Sequence, residues 1–112
     1  MPLYGLLGFD VKSPESREQW VLWHSQDHQE IHQAIQNVLG TNLVIYQLYP
    51  MDLKNLEQWA AWHQQTHDDE NSATGLAGND LSEMNFKDPK KANEWHFNHF
   101  KEHLALRSKF SI

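Results

Sequence analysis

Six of the eight histidines form one His-x-x-x-His pair in each of three separate stretches of the chain. These pairs are His24 and His28, His63 and His67, and His99 and His103. In a helix, side chains four residues apart lie on the same face, one turn apart. Such a pair can present two imidazoles to one ion, and neutral histidine is a common ligand for zinc and a good one for iron, copper and nickel. Metal binding is therefore the chemistry to which this spacing points.

Each pair belongs to a longer repeat, Trp-x-x-(Trp or Asn)-His-x-x-x-His, and seven residues before its first tryptophan stands a residue that favours the helix N-cap. The first tryptophans are Trp20, Trp59 and Trp95, and the cap residues are Ser13, Asp52 and Asp88. Caps and histidines keep the same phase in all three copies, which predicts one helix per copy. The predicted helices cover 14–39, 53–72 and 89–109, within repeats at about 13–43, 52–81 and 88–112.

The first tryptophan and both histidines of each copy fall on one stripe of the predicted helix, because residues at i, i+4 and i+8 drift by only about 40° per step. In helix one this stripe continues into Ile31 and Ile35. The sequence therefore predicts a mainly α, three-helix domain whose stripes meet in a Trp/His core. The predicted core network is Trp20, His24, His28, Trp59, His63, His67, Trp95, His99 and His103. The interpretation that the sequence favours is a hydrogen-bonded core without a cofactor, which would loosen below about pH 6 as imidazoles become charged.

The alternative interpretation is a small helical metal-binding protein that holds zinc or iron. Its ligands would be the six paired histidines together with Glu70, which follows His67 by three residues. Two features count against it. Copies one and three have Ile31 and Leu106 at the position of Glu70, and six imidazoles exceed the four ligands of a tetrahedral zinc.

Composition excludes several other classes of protein. The chain has 112 residues, no cysteine and a formal charge of -6, which fits a single domain over 1–112 without disulfides or cysteine-ligated zinc. The acidic balance argues against nucleic-acid binding. No apolar run long enough for a membrane span and no basic leader are present, so we expect a soluble protein that is neither secreted nor membrane-bound. No nucleophile elbow, phosphate loop or pair of inward carboxylates indicates an enzyme.

Apolar residues also lie outside the stripes. Phe97, Phe100 and Leu104 lie on the side of helix three away from His99, and a surface helix seldom exposes three such residues together. Either segment 4–9 of the same chain or a neighbouring subunit is expected to cover them. Segments 1–9 and 43–50 are predicted as short extended pieces, the first as an arm. Glycines at Gly40 and Gly78 are expected to end helices one and two. The predicted interface residues are Tyr4, Leu6, Leu7, Phe9, Tyr46, Tyr49, Phe97, Phe100 and Leu104.

The overall pattern resembles small Trp- and His-rich structural proteins of tailed bacteriophages, and the likeness covers most of the chain. It is carried by Trp20, His24, His28 and Ile31 with Leu39-Gly40, by Asp80-Leu81 and Asp88, and by Trp95, His99, His103 and Leu106. The resemblance implies a non-enzymatic virion component, such as a head–tail connector, adaptor, tail or head-decoration protein. Such a protein would be assembled in the host cytoplasm and bind other virion proteins or copies of itself, without a cofactor. The third repeat and the apolar arm 1–9 depart from the pattern, which leaves the place in the particle open.

Overall fold

The computed structural model describes residues 13–49, 51–84 and 87–112, and within them the chain is helical without any strand. The α-helices are α1 (Pro14–Leu39), α2 (Leu56–Thr74) and α3 (Pro89–Phe110), and a 3-10 turn, Leu53–Asn55, leads into α2. The predicted all-α, three-helix fold is confirmed. In the described ranges, no helix has the length and apolar character needed to cross a membrane.

The helices begin where the cap residues predict. Ser13 and Asp88 are the N-caps of α1 and α3; the side-chain oxygen of each accepts a backbone N–H of the first turn, and a proline follows each of them. Asp52 does the same for the 3-10 turn, so that α2 starts four residues after its cap residue. The same kind of cap residue therefore starts an α-helix directly in copies one and three, and a short 3-10 turn before the α-helix in copy two.

The end of α2 differs from its prediction. Gly40 caps α1 in the left-handed conformation, as predicted, but α2 ends at Thr74 with Gly75 in that role, at φ +72°. The prediction that Gly78 ends the helix was wrong because Gly75 is the first glycine to adopt positive φ. Gly78 instead packs on Asn71, where a Cβ atom would lie 2.6 Å from Nδ2.

The connectors pack onto the tryptophans of the helices that follow them. The carbonyl of Leu48 accepts the indole N–H of Trp59 at 2.9 Å, and the carbonyl of Leu81 accepts that of Trp95 at 3.0 Å. Both leucines are fully buried. The extended segment predicted at 43–50 therefore anchors α2 and forms no strand over the described residues 43–49, while the arm at 1–9 lies outside the described residues.

The core consists of three layers along a bundle of three helices that run in the same direction. Trp20 lies 6.3 Å from both Trp59 and Trp95, measured between ring centroids, which places the early turns of all three helices in one layer. At the far end, Ile31 and Ile35 of α1 pack with Leu106 of α3. The paired histidines form the layer between. The domain is thus a parallel bundle whose connectors run back along its length.

Candidate metal centre

The six paired histidines meet in the middle layer of the bundle, and each has an exposed fraction of 0%. Each helix contributes two of them, one turn apart. The first histidines of the three pairs, His24, His63 and His99, form a triangle with Nε2–Nε2 distances of 3.1, 2.9 and 3.0 Å. This triangle is called the upper layer, and the second histidines, His28, His67 and His103, the lower layer.

The two layers approach each other as closely as the members of the triangle do. Nε2 of His28 lies 2.9 Å from Nε2 of His24, and Nε2 of His103 lies 3.0 Å from Nε2 of His99. The ring of His67 lies 4.5–5.0 Å from its four neighbouring rings, measured between centroids. The nitrogens of all three helices therefore converge on one point.

The arrangement is that of an octahedron. Neighbouring rings lie 4.4–5.0 Å apart, with one longer edge of 6.0 Å between His28 and His63, whereas His24 and His67 face each other at 6.3 Å. In a regular octahedron, opposite corners are about 1.4 times as far apart as neighbouring ones. His24 and His67 form one opposite pair. The neighbours of His28 and of His63 leave His99 and His103, respectively, as their opposite corners.

The size of this octahedron fits a metal ion. Nitrogens 2.9–3.1 Å apart at neighbouring corners lie about 2.1 Å from the centre, which is the length of a bond between a first-row metal and imidazole. The nitrogens of five of the histidines lie within 4.8 Å of one another, and His63 joins them through its contacts with His24 and His99.

Carboxylates hold the outer nitrogens of the lower layer. In each case the carboxylate comes from a different helix than the histidine. The Nδ1–carboxylate distances are 2.9 Å from His28 to Glu70, 3.3 Å from His67 to Glu102 and 2.7 Å from His103 to Asp27. Because an ionised carboxylate can only accept, Nδ1 carries the proton and Nε2 turns its lone pair to the centre. This is the tautomer in which histidine binds a metal through Nε2.

The carboxylates are themselves held in place. Asp27 accepts a 2.7 Å hydrogen bond from Arg107, and Glu102 accepts one of 2.8 Å from Asn71. His32 Nε2 lies 3.1 Å from the Glu70 oxygen that contacts His28. Such outer contacts orient metal-binding imidazoles and fix their tautomers.

The upper layer is supported differently, by stacking. His24 lies on Trp20 at 4.4 Å and 13°, His63 on Trp59 at 5.1 Å and 14°, and His99 on Trp95 at 4.7 Å and 28°. The Nδ1 atoms of these histidines have no hydrogen-bond partner among the described residues. The upper histidines are therefore supported by tryptophan rings and the lower histidines by carboxylates.

Burial favours the neutral form of five of the paired histidines, including His103. It lowers the pKa of His24, His63 and His99 well below the usual value, and the neighbouring imidazoles lower each pKa further. Burial also lowers the pKa of His28 to about 4, although the charge and hydrogen bond of Glu70 oppose this shift. At neutral pH these side chains are in the form that binds metals.

The acids below them stay charged. Burial alone would raise the pKa of Glu70, Asp27 and Glu102, but contacts with their histidine partners outweigh it and lower all three. With Arg107, which also contacts the partly exposed Glu30, three negative charges and one positive charge leave -2 around the centre. A buried charge of this size calls for a cation.

Hydrogen bonds within the triangle cannot pair all three of its nitrogens, although Nε2 of His24 and of His99 could also donate to the lower layer. Each neutral Nε2 is either a donor or an acceptor, so at least two of the three nitrogens in the triangle are of the same kind. Two donors or two acceptors then face each other at about 3 Å without a hydrogen bond between them, which is unfavourable in a buried site. A cation at the centre gives every lone pair a partner.

Part of this site was not found in the sequence. Glu70 was a candidate ligand, but it contacts the outer nitrogen of His28 and lies outside the ring of Nε2 atoms. Asp27 and Glu102 were missed, although each directly precedes the second histidine of its copy; the second copy has Thr66 there. His32, which has no counterpart in the other two copies, is buried against Glu70.

The predicted interface residues differ in exposure. Tyr4, Leu6, Leu7 and Phe9 lie outside the described residues. Among the others, Tyr49, Phe97 and Leu104 are exposed, and Tyr46 and Phe100 are half-buried. Comparisons with known protein families, curated proteins and solved structures find no match to this chain.

Proposed function

We propose that the protein binds one divalent transition-metal ion between its three helices, through Nε2 of the six paired histidines. The observation that carries this proposal is the convergence of six buried imidazoles on one centre, with neighbouring nitrogens 2.9–3.1 Å apart. The carboxylates behind the lower layer support it, because carboxylate–histidine pairs are the usual outer support of metal sites.

The ion would have a structural role. Six imidazoles fill an octahedral coordination shell, which leaves no position for a water molecule or substrate, whereas catalytic metal sites keep one open. The site is also closed to solvent, since all six side chains are fully buried. We therefore propose a non-enzymatic metal protein, in which the ion ties together helices that come from distant parts of the chain.

Metal binding would stabilise the fold. Without an ion, Nε2 atoms of like kind that face each other at the centre cost about 1–3 kcal/mol each, and the apolar core of a chain of 112 residues is small. A site that exists only in the folded state turns the free energy of binding into free energy of folding. The apoprotein should therefore unfold at a much lower temperature than the metal-bound protein.

Elemental analysis tests the proposal directly. The protein is produced without a histidine tag, freed of metal with a chelator, loaded with Ni(II) and desalted. We expect about one ion per chain and a rise in melting temperature of at least 10 °C. The His96→Gln variant, which changes a histidine outside the centre, is the matched control and should behave like the natural protein. Less than a tenth of an ion per chain, with an unchanged melting temperature, would refute the proposal.

A second proposal concerns assembly, as a subunit of a larger particle such as a virion. It is favoured by the exposure of Phe97 (63%) and Leu104 (42%), two apolar side chains on α3. Sedimentation of the natural protein and of a Phe97→Ser/Leu104→Ser variant tests it. We expect the natural protein to self-associate and the variant to be monomeric, with equal melting temperatures. A natural protein that stays monomeric at high concentration would contradict self-assembly through this face.

A further inference from the structure

Resting on the proposed function, we infer that the centre selects a six-coordinate ion of the Fe(II), Co(II) and Ni(II) series over zinc and copper. The inference concerns the shape of the site, because all of these ions bind imidazole well and differ in the geometry they prefer. Affinity alone would favour copper at most nitrogen sites.

The spacing of the nitrogens opposes tetrahedral zinc. Four nitrogens bound tetrahedrally at about 2.0–2.1 Å would lie about 3.4 Å apart, whereas the measured distances are 2.9–3.1 Å. To bind zinc tetrahedrally, four imidazole rings would have to move apart, and the other two would have to move away from the ion. Each withdrawn imidazole would stay buried without a partner, because all six are enclosed by the bundle.

The rings are also fixed in their positions. His63 lies flat against Trp59 at 14°, and His103 is tied to Asp27, which Arg107 holds in turn. Closely packed aromatic layers and ionic hydrogen bonds resist spreading of the ring set, because packed interiors deform little. The protein therefore imposes its geometry on the ion.

The three axes of the octahedron join the same two kinds of histidine, which disfavours the binding of Cu(II). Cu(II) favours a tetragonal site with one long axis. Here every axis joins a histidine stacked on tryptophan to a histidine backed by a carboxylate, as His24 and His67 do. No axis is distinguished for elongation, so Cu(II) would have to distort the site.

The donor set and the charge narrow the choice further. Six neutral nitrogens suit iron and nickel, whereas magnesium, calcium and manganese favour oxygen ligands. Asp27, Glu70 and Glu102 against Arg107 give a charge of -2 close to the centre, without the partly exposed Glu30 that also contacts Arg107. These negative surroundings favour a cation at the centre.

Competition between ions tests the selectivity. Apoprotein is mixed with equimolar Ni(II) and Zn(II), and separately with Co(II) and Zn(II), at limiting protein, and the bound ions are measured after desalting. We expect at least tenfold more nickel or cobalt than zinc on the protein. Cobalt alone should give the weak visible absorption of a six-coordinate ion, and X-ray absorption should find six nitrogens at about 2.1 Å.

The outcomes separate this inference from the proposed function. Zinc bound in equal or greater amount, or cobalt with intense four-coordinate bands, would overturn the selectivity and leave metal binding intact. No bound ion of any kind would overturn both. The His67→Asn variant, which removes one corner, should bind metal with the preference for nickel over zinc reduced at least tenfold. If that variant does not fold, the competition on the natural protein still decides.

Discussion

Asp27 and His103 are 76 residues apart in the sequence, and their side chains meet at 2.7 Å in the core. The contact joins α1 to α3 and directs Nε2 of His103 to the centre of the histidine cluster. Arg107, one turn further along α3, holds the other oxygen of Asp27 at 2.7 Å. This bond therefore orients a ligand and links two helices at once.

The Asp27→Asn variant should bind metal more weakly. An amide can still accept a bond from Nδ1, but it brings no charge to support the imidazole or to pair with Arg107. Loss of such an outer carboxylate typically reduces metal affinity by about 10–100-fold. Competition with a chelator of known affinity measures the change.

Asp68→Asn, a change at an exposed acid of α2, is the matched control and should leave the affinity unchanged. Equal affinities of the Asp27 variant and the natural protein would mean that this carboxylate does not support the metal centre.

Acid should destabilise the apoprotein. Burial lowers the pKa of five of the paired histidines, His24, His28, His63, His99 and His103, and that of His28 to about 4, while unfolded histidine titrates near 6.5. Below about pH 6.5 the unfolded chain binds more protons than the folded one, so the free energy of unfolding falls as the pH decreases. His28 alone accounts for about 3 kcal/mol, lost between pH 6.5 and its folded pKa.

Urea unfolding of the apoprotein at pH 7.5, 6 and 5 in the presence of a chelator measures this loss. Stability that is the same at pH 7.5 and pH 5 would show that the histidines do not stay neutral in the fold.

The Trp59→Phe variant should be less stable but still load with metal. Trp59 stacks on His63, and its indole N–H donates to the carbonyl of Leu48 at 2.9 Å. Phenylalanine still offers an aromatic ring for stacking but has no N–H to donate. The buried carbonyl would lose its partner at a cost of about 1–3 kcal/mol. Denaturant unfolding and elemental analysis measure the two effects separately.

Trp62→Phe, at a half-buried tryptophan of the same helix, is the comparison and should change stability less. If the Trp59 variant is as stable as the natural protein, this hydrogen bond does not stabilise the packing of the connector on α2.

The Gly78→Ala variant should disturb the centre from outside. The added Cβ would lie 2.6 Å from Nδ2 of Asn71, which donates to Glu102 at 2.8 Å, and Glu102 lies beside His67. Displacing Asn71 should cost about 1–3 kcal/mol of stability and weaken metal binding several-fold. Thermal unfolding with and without Ni(II) reports both quantities.

Ala77→Ser, at the exposed neighbouring position, should have no effect on either. If the Gly78→Ala variant binds metal as tightly as the natural protein, then moving Asn71 does not affect His67 through Glu102.

The sequence predicted the helices and the inward histidines because both depend on local spacing. Ser13 and Asp88 begin helices, as their position before proline indicates, and a stripe at intervals of four must lie on one face. The outer acids could not be found in this way. Asp27 is matched to His103 only when α1 lies beside α3, and that neighbourhood is a property of the whole bundle.

Local patterns also explain the errors. Glu70 follows His67 by one turn, so spacing suggested that the two share an ion, whereas its oxygen contacts His28 of α1. Two glycines follow α2 closely, and spacing did not distinguish Gly75 from Gly78 as the helix end. In both cases the choice is made by contacts with other helices or by backbone conformation, which a single sequence does not record.

Each outer carboxylate supports a histidine of a different helix, in a closed circuit: α1 supports α3, α3 supports α2, and α2 supports α1. No two helices can therefore build a partial centre in which both lower histidines are supported. A growing chain that has made only α1 and α2 presents four of the histidines, but His67 still awaits Glu102 of α3. If the centre binds an ion as proposed, high-affinity capture would be an all-or-none event, and a bound ion would mark a chain whose three helices have all docked.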